Sequence, residues 1–322
     1  MIKKLKEKVL QDQKIAKKDA LELAVLPPNK ILNLLSAANE IKNEFMSDKV
    51  HMCSIINAKS GSCSEDCSFC AQSAHHDVDV DNYSLLGKEE ILAKAKQMDQ
   101  AGAKHFGLVT SGRGIENKTE FQQILDTVET IKTETDLEVC ASLGTLDANQ
   151  VQQLSEVGLK RYNHNLETSR NYFAEICSTH DYQERVQTVK FLKEQGIEVC
   201  CGGIIGLGET FADRIELAYT LKELEVDSIP LNILNPVSGT PLEDENSVPP
   251  LEALKTAAIF RFINPNKNIK LCGGRENNLR DLQSLSLLAG VNGLLVGNYL
   301  TTEGRSIEDD LQMIDDLGLS KG

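Results

Sequence analysis

Between residues 52 and 300, short β-branched runs alternate with longer segments of helical periodicity, and that alternation restricts the chain to a few folds. Eight runs read as strands, near residues 52–57, 105–110, 137–143, 161–166, 199–205, 228–233, 269–273 and 293–297. Strands separated by helix-length segments pair in parallel, because the crossover needs a dozen or more residues. Eight such units predict a closed (β/α)8 barrel of the TIM type, with an open doubly wound sheet as the alternative that periodicity leaves standing. Helix boundaries are explicit: the segment 89–100 ends at Gly102, 181–195 ends at Gly196, and 251–262 follows Pro249-Pro250 and stops before Pro265. Residues 1–35 read as an amphipathic helical extension and residues 36–322 as a single barrel domain, since no internal repeat or low-complexity linker marks another unit.

Charge narrows the partners. With 34 Lys and Arg against 48 Asp and Glu, the net charge of −14 repels phosphate backbones and anionic lipid, and the Lys-rich start is short and interrupted. Neither nucleic acid nor a membrane surface is an expected partner. No apolar run reaches the roughly 18 residues that cross a bilayer, and the first residues are too charged for a secretory signal, so a cytoplasmic location is expected. Nine cysteines are an odd count for such a chain, which favours metal or redox chemistry over a disulfide framework.

Cys63, Cys67 and Cys70 form C-x3-C-x2-C in the loop after the first predicted strand, at the carboxyl end where barrel active sites gather. A cubane cluster has four irons, so three thiolates leave one iron open to a small molecule, as an incomplete zinc shell leaves a catalytic position. The alternative is a zinc knuckle closed by His75 or His76. Farther on, Asn163, Asn165 and Glu167 alternate along the fourth strand and share a face, which puts three polar side chains toward the barrel mouth.

The three-cysteine spacing, with Phe69 before the last cysteine, resembles the signature of radical S-adenosylmethionine (SAM) enzymes. That resemblance implies a [4Fe–4S] cluster on Cys63, Cys67 and Cys70, with SAM chelating the open iron and being cleaved to a 5′-deoxyadenosyl radical. Gly203-Ile204-Ile205-Gly206, within a G-x-I-x-G-x-x-E string ending at Glu209, is similar to the superfamily's adenine-binding strand end. Ser111 and Gly112 sit where the superfamily meets the methionyl amino group. Tyr162-Asn163-His164-Asn165-Leu166-Glu167-Thr168-Ser169 closely resembles a string of the biotin synthase family, and similarity extends over residues 34–319.

The resemblance implies sulfur insertion into dethiobiotin, with two SAM molecules consumed, an electron donor such as flavodoxin or ferredoxin, and a homodimer. It makes Asn163, Asn165 and Asn232 substrate ligands, gives Asn165 and Glu167 the SAM ribose, and pairs Arg185 with the SAM carboxylate. Glu167 stands where the family usually has Asp.

An auxiliary iron–sulfur cluster, the sulfur donor in this family, is implied at Cys140, Cys200 and Arg275, but Gly107 replaces the expected fourth ligand and cannot bind iron. Cys53 and Cys272 lie on predicted strands and are candidates for a redistributed ligand set, holding either a [2Fe–2S] cluster or a larger one. Strand alternation turns Cys200 inward and Cys201 outward, making Cys201 a packed thiol. Cys272 and Arg275 face opposite ways unless Gly273-Gly274 re-aims one of them. Cys177 falls in a helical segment outside these positions and reads as structural. The rivals are a radical SAM maturase or mutase acting on an amino acid, which needs no sulfur donor, and a non-catalytic iron–sulfur or zinc protein with complete four-ligand shells.

Overall fold

A computed structural model describes residues 1–322. The strands are β1 (Lys49–Lys59), β2 (His105–Thr110), β3 (Glu138–Ser142), β4 (Arg161–Asn163), β5 (Glu198–Cys200), β6 (Gly203–Ile205), β7 (Ser228–Ile233), β8 (Asn268–Leu271), β9 (Gly293–Leu295) and β10 (Ser320–Lys321). Every pairing among them is parallel, and β9 closes on β1 through His51↔Gly293, so the sheet is a barrel and not an open layer. β10 lies outside the barrel, against the first residues of β1.

One expected strand is in two pieces. β5 and β6 both pair with β7, and the interruption falls at Cys201-Gly202, opposite Pro230. Proline has no N–H to give the ladder, and its carbonyl oxygen lies 1.9 Å from where a Cβ on Gly202 would sit, so only glycine fits there.

The amino-terminal residues form three helices, Ile2–Leu10, Lys17–Ala24 and Pro28–Met46. The third runs through residue 35 to Met46, three residues before β1 begins at Lys49. Its apolar face, including Leu34, Ala38 and Ile41, packs on the helix Pro250–Ile263. That second helix is buried almost all round and carries Arg261, whose guanidinium donates to the carbonyls of Gly290, Pro265 and Lys267 and to Asn292. A buried cation is tolerated there because its donors are satisfied. Helix starts are fixed locally: Asp147, Asp181 and Thr210 each cap a helix and receive a reciprocal bond from the third helical residue, worth about 1 kcal/mol per cap.

Candidate active site

Alternation along eight tilted strands puts every second side chain into the lumen. The resulting cavity, about 350 Å³, is lined by Cys53, His105, Gly107, Cys140, Arg161, Asn163, Asn165, Glu167, Cys200, Asn232, Lys270 and Cys272 among others. The lining changes from one end to the other. His105 and Arg161 open their strands, so with Lys270 they form a basic floor, whereas Asn163, Asn165 and Glu167 climb toward the carboxyl-end mouth.

Four thiols, Cys53, Cys140, Cys200 and Cys272, face this one space, while Cys201 is turned into the apolar core. Lys270 Nζ is 2.8 Å from Cys53 Sγ. Burial disfavours the Lys270 ammonium, but the Cys53 and Cys200 sulfurs outweigh it and its pKa is raised. Burial pushes the Cys140 thiol up to about 12, against the opposing pull of Arg161. His105 falls to about 2 through burial and the charges of Arg161 and Lys270, so it stays neutral. Soft, buried sulfur donors beside fixed cations match a polynuclear iron–sulfur group, whose net charge is negative, and offer poor surroundings for a hard cation.

Arg275 is not part of this group. The turn through Gly274, at φ +78°, starts the helix Arg275–Leu279 and carries the side chain out of the lumen. There the guanidinium is fully buried against Asp310 (2.5 Å), Gln283 (2.6 Å) and the Leu295 carbonyl. The basic groups that do face the thiols are Lys270 and Arg161, both missed in the sequence. Lys270 lies two residues before Cys272 and Arg161 two before Asn163, so strand parity was an available signal.

The three-cysteine loop covers the mouth, with Phe69 and Ala71 facing the cavity. It is cross-braced: Cys63 N–H donates to the Gln72 carbonyl and the Cys63 carbonyl accepts from Ala74 N–H, and Ser73 Oγ donates to the Glu65 carbonyl at 2.6 Å. Asp66 holds the loop to residues 177–179, accepting from the backbone N–H groups of Ser178 and Thr179. Burial alone would raise the Asp66 carboxyl, but its hydrogen bonds from Ser178, Cys177 and Thr179 hold it well below the usual range. Ser111 Oγ donates to the Gly61 carbonyl at 2.7 Å, anchoring the start of the loop, and Gly112 follows at the end of β2; neither lines the cavity. Burial and the neighbouring Cys63 and Glu167 charges raise the Cys70 thiol to about 11.

Cys177 has a different place from the one its sequence context implied. It ends the short helix Phe173–Ile176, and its sulfur lies 3.8 Å from that of Cys67. Cys67, Cys177 and His180 together have the spacing of a single-ion site. His180, however, is engaged at both ring nitrogens, by Glu65 at Nδ1 and by Arg185 at Nε2, so it has no free lone pair for a metal. His75 and His76 direct Nε2 to the Ser64 and Cys67 carbonyls instead of to the thiols.

Around the mouth, Glu167 adopts φ +66°, and Gly203 packs so tightly on it that a Cβ would lie 2.2 Å from the Glu167 carbonyl oxygen. Glu167 Oε2 is buried with no hydrogen-bond partner while lining the cavity, the state of an acceptor that awaits a ligand hydroxyl. Burial raises its pKa even though Arg185 stands near. Ile204 faces the cavity; Gly206 lies behind it, its N–H donating to Glu209 at 2.9 Å. Glu209 also accepts from Leu207 N and pairs with Arg214, which accounts physically for an acidic residue at the end of the glycine string. Arg185 points inward from the helix Tyr182–Glu194, donating to the Asn165 carbonyl at 2.8 Å. Asn232 Oδ1 accepts from Gly273 N, so its amide nitrogen is the end turned toward β6.

Known proteins resemble this chain in sequence and fold. The Radical SAM superfamily profile matches residues 59–221, and that of the Biotin and Thiamin Synthesis associated domain matches residues 230–320. The chain is 54% identical to a biotin synthase of Carboxydothermus hydrogenoformans over 98% of this chain and 97% of that protein. It is 50% identical to a biotin synthase of Clostridium acetobutylicum over 97% of this chain and 96% of that one. Among solved structures, methylornithine synthase (PylB) superposes with a TM-score of 0.86 at 21% identity, covering 99% of this chain and 97% of that one, a likeness of fold.

A closed parallel barrel with three thiols on its first-strand loop, above a lumen of alternating polar side chains, defines a radical SAM enzyme, with the [4Fe–4S] cluster and SAM that this class uses. Within that class, the chain belongs to the biotin synthase family.

Proposed function

We propose that this protein converts dethiobiotin to biotin by radical sulfur insertion. The observation that carries the reading is one lumen that holds four thiols on its wall and three amides above them, with the three-cysteine loop at its mouth. A maturase or mutase needs no such wall of sulfur donors.

In this reading Cys63, Cys67 and Cys70 hold the four-iron cluster, and Cys53, Cys140, Cys200 and Cys272 hold an auxiliary cluster larger than two irons. When bound, the first group supplies the electron that splits SAM and the second supplies the sulfur. The chain's own part is placement. Asn163, Asn165 and Asn232 present amides to the ureido ring, and the orphan Glu167 oxygen receives the SAM ribose. Gly203, Ile204 and Gly206 lie along the adenine, Ser111 and Gly112 near the methionyl amino group, and Arg185 meets the carboxylate through Nη2, a charge-assisted donor. Lys270 and Arg161 would offset the negative charge of a thiolate-bound cluster at the buried end of the lumen. Gly107 takes no part as a ligand: a Cβ there would lie 3.1 Å from Ile55, a tight fit even for alanine.

A flavodoxin or ferredoxin serves as the electron donor in this proposal, and two copies of the chain associate. Anaerobic incubation with dethiobiotin, SAM and a reductant, followed by mass spectrometry, is expected to yield biotin and 5′-deoxyadenosine. Absence of both would overturn the function. An iron count equal to the four-iron cluster plus two would overturn the enlarged auxiliary cluster alone.

A further inference from the structure

Arg185 is held by more than its helix. Its Nη1 donates to the Asn165 carbonyl at 2.8 Å, and its Nε donates to His180 Nε2 at 3.0 Å. Nη2 has no protein acceptor and is left for a ligand. For His180 Nε2 to accept, the ring proton must sit on Nδ1, and Nδ1 faces Glu65 Oε2 at 2.5 Å, closer than the Cys177 sulfur at 3.2 Å on the same nitrogen. Glu65 therefore selects the tautomer, and the tautomer aims the arginine. The carboxylate is itself fixed by Thr179 Oγ1 at 2.8 Å on Oε2 and by Ser64 Oγ at 3.0 Å on Oε1.

The packing leaves these groups little freedom. The side chains of His180 and Glu65 are 4% and 6% exposed. Phe173 packs edge-on to His180 at 5.5 Å and lies under the Arg185 guanidinium at 5.9 Å. Glu65 stands between Cys63 and Cys67, so the relay begins inside the three-cysteine loop and ends at the cavity lip beside Asn165 and Glu167.

We infer that His180 is a positioning residue for the SAM carboxylate: through Glu65 and Arg185 it couples the set of the three-cysteine loop to the place where SAM docks. The inference deepens the proposed function and rests on Arg185 being the carboxylate partner. An arginine free to rotate loses orientation before it loses charge, and removing such an outer support costs about 10–100-fold in ligand affinity or activity.

The experiment is SAM binding to anaerobically reconstituted full-length protein, by equilibrium dialysis, with iron content measured on each sample. His180→Ala is expected to weaken SAM binding about 10-fold or more, to raise KM for SAM more than it lowers kcat, and to leave iron content and dethiobiotin affinity unchanged. His180→Gln retains an acceptor for Arg185 and recovers part of the loss. Arg185→Ala weakens binding at least as much, and the double variant is no weaker than Arg185→Ala alone, because the histidine acts only through the arginine. Native SAM affinity in His180→Ala, with Arg185→Ala impaired, overturns the relay. Native affinity in Arg185→Ala overturns the carboxylate assignment beneath it.

Discussion

The three thiols at the mouth of the barrel and the four on its wall are held by different parts of the fold. Cys63, Cys67 and Cys70 lie within one short loop, and local bonds among neighbours, such as Ser73 to Glu65 and Cys63 to Ala74, give it shape. Cys53, Cys140, Cys200 and Cys272 come from β1, β3, β5 and the end of β8, and only closure of the sheet makes them neighbours. A barrel wall cannot shift without breaking its ladders, whereas the loop keeps its shape through its own bonds and stands at the mouth. The buried set suits a reagent held inside the barrel, and the set at the mouth suits a site that must exchange its ligand.

The comparison breaks most severely at the mouth. Cys67→Ala is expected to abolish 5′-deoxyadenosine formation to background while leaving iron bound at the wall; complete loss of iron would mean the two sets are not independent. At the wall, Cys140→Ala should abolish biotin formation yet leave SAM cleavage, read as 5′-deoxyadenosine without biotin, and Lys270→Met should cost about 10–100-fold in retention of the auxiliary iron.

Arg275→Met sharpens the distinction between wall and scaffold. Leaving Asp310 buried without its partner should destabilise the fold by about 3–5 kcal/mol in chemical denaturation, with auxiliary iron per folded chain unchanged. A loss of iron with native stability would return Arg275 to the ligand set. The smallest effect is expected at Asn163→Ala, where a lost amide bond of about 1–1.5 kcal/mol raises KM for dethiobiotin about 10-fold and leaves SAM binding as it was.

The loop set was legible because its ligands are close in the chain: C-x3-C-x2-C states its own geometry. The polar face of Asn163, Asn165 and Glu167 was legible too, because parity along a strand is local, and all three do line the cavity. Arg275 could be placed only as far as the Gly273-Gly274 turn: the sequence could say that the turn can re-aim it, but not that Gly274 starts a helix that lays its side chain against Asp310. The contact of Cys177 with Cys67, at 3.8 Å, was not legible, because nothing in its neighbourhood announces a loop more than a hundred residues earlier.

Period and spacing therefore determined the parallel strand–helix alternation, the three-thiol loop and the inward face of each strand, since these depend on residues a few positions apart. Tertiary structure alone decided which inward residues meet. It brought Lys270 to Cys53, left Arg275 with Asp310, and joined Glu65, His180 and Arg185 into one chain of hydrogen bonds. The physical reason is closure: strand order and register set the distances across a lumen, and no local pattern contains them.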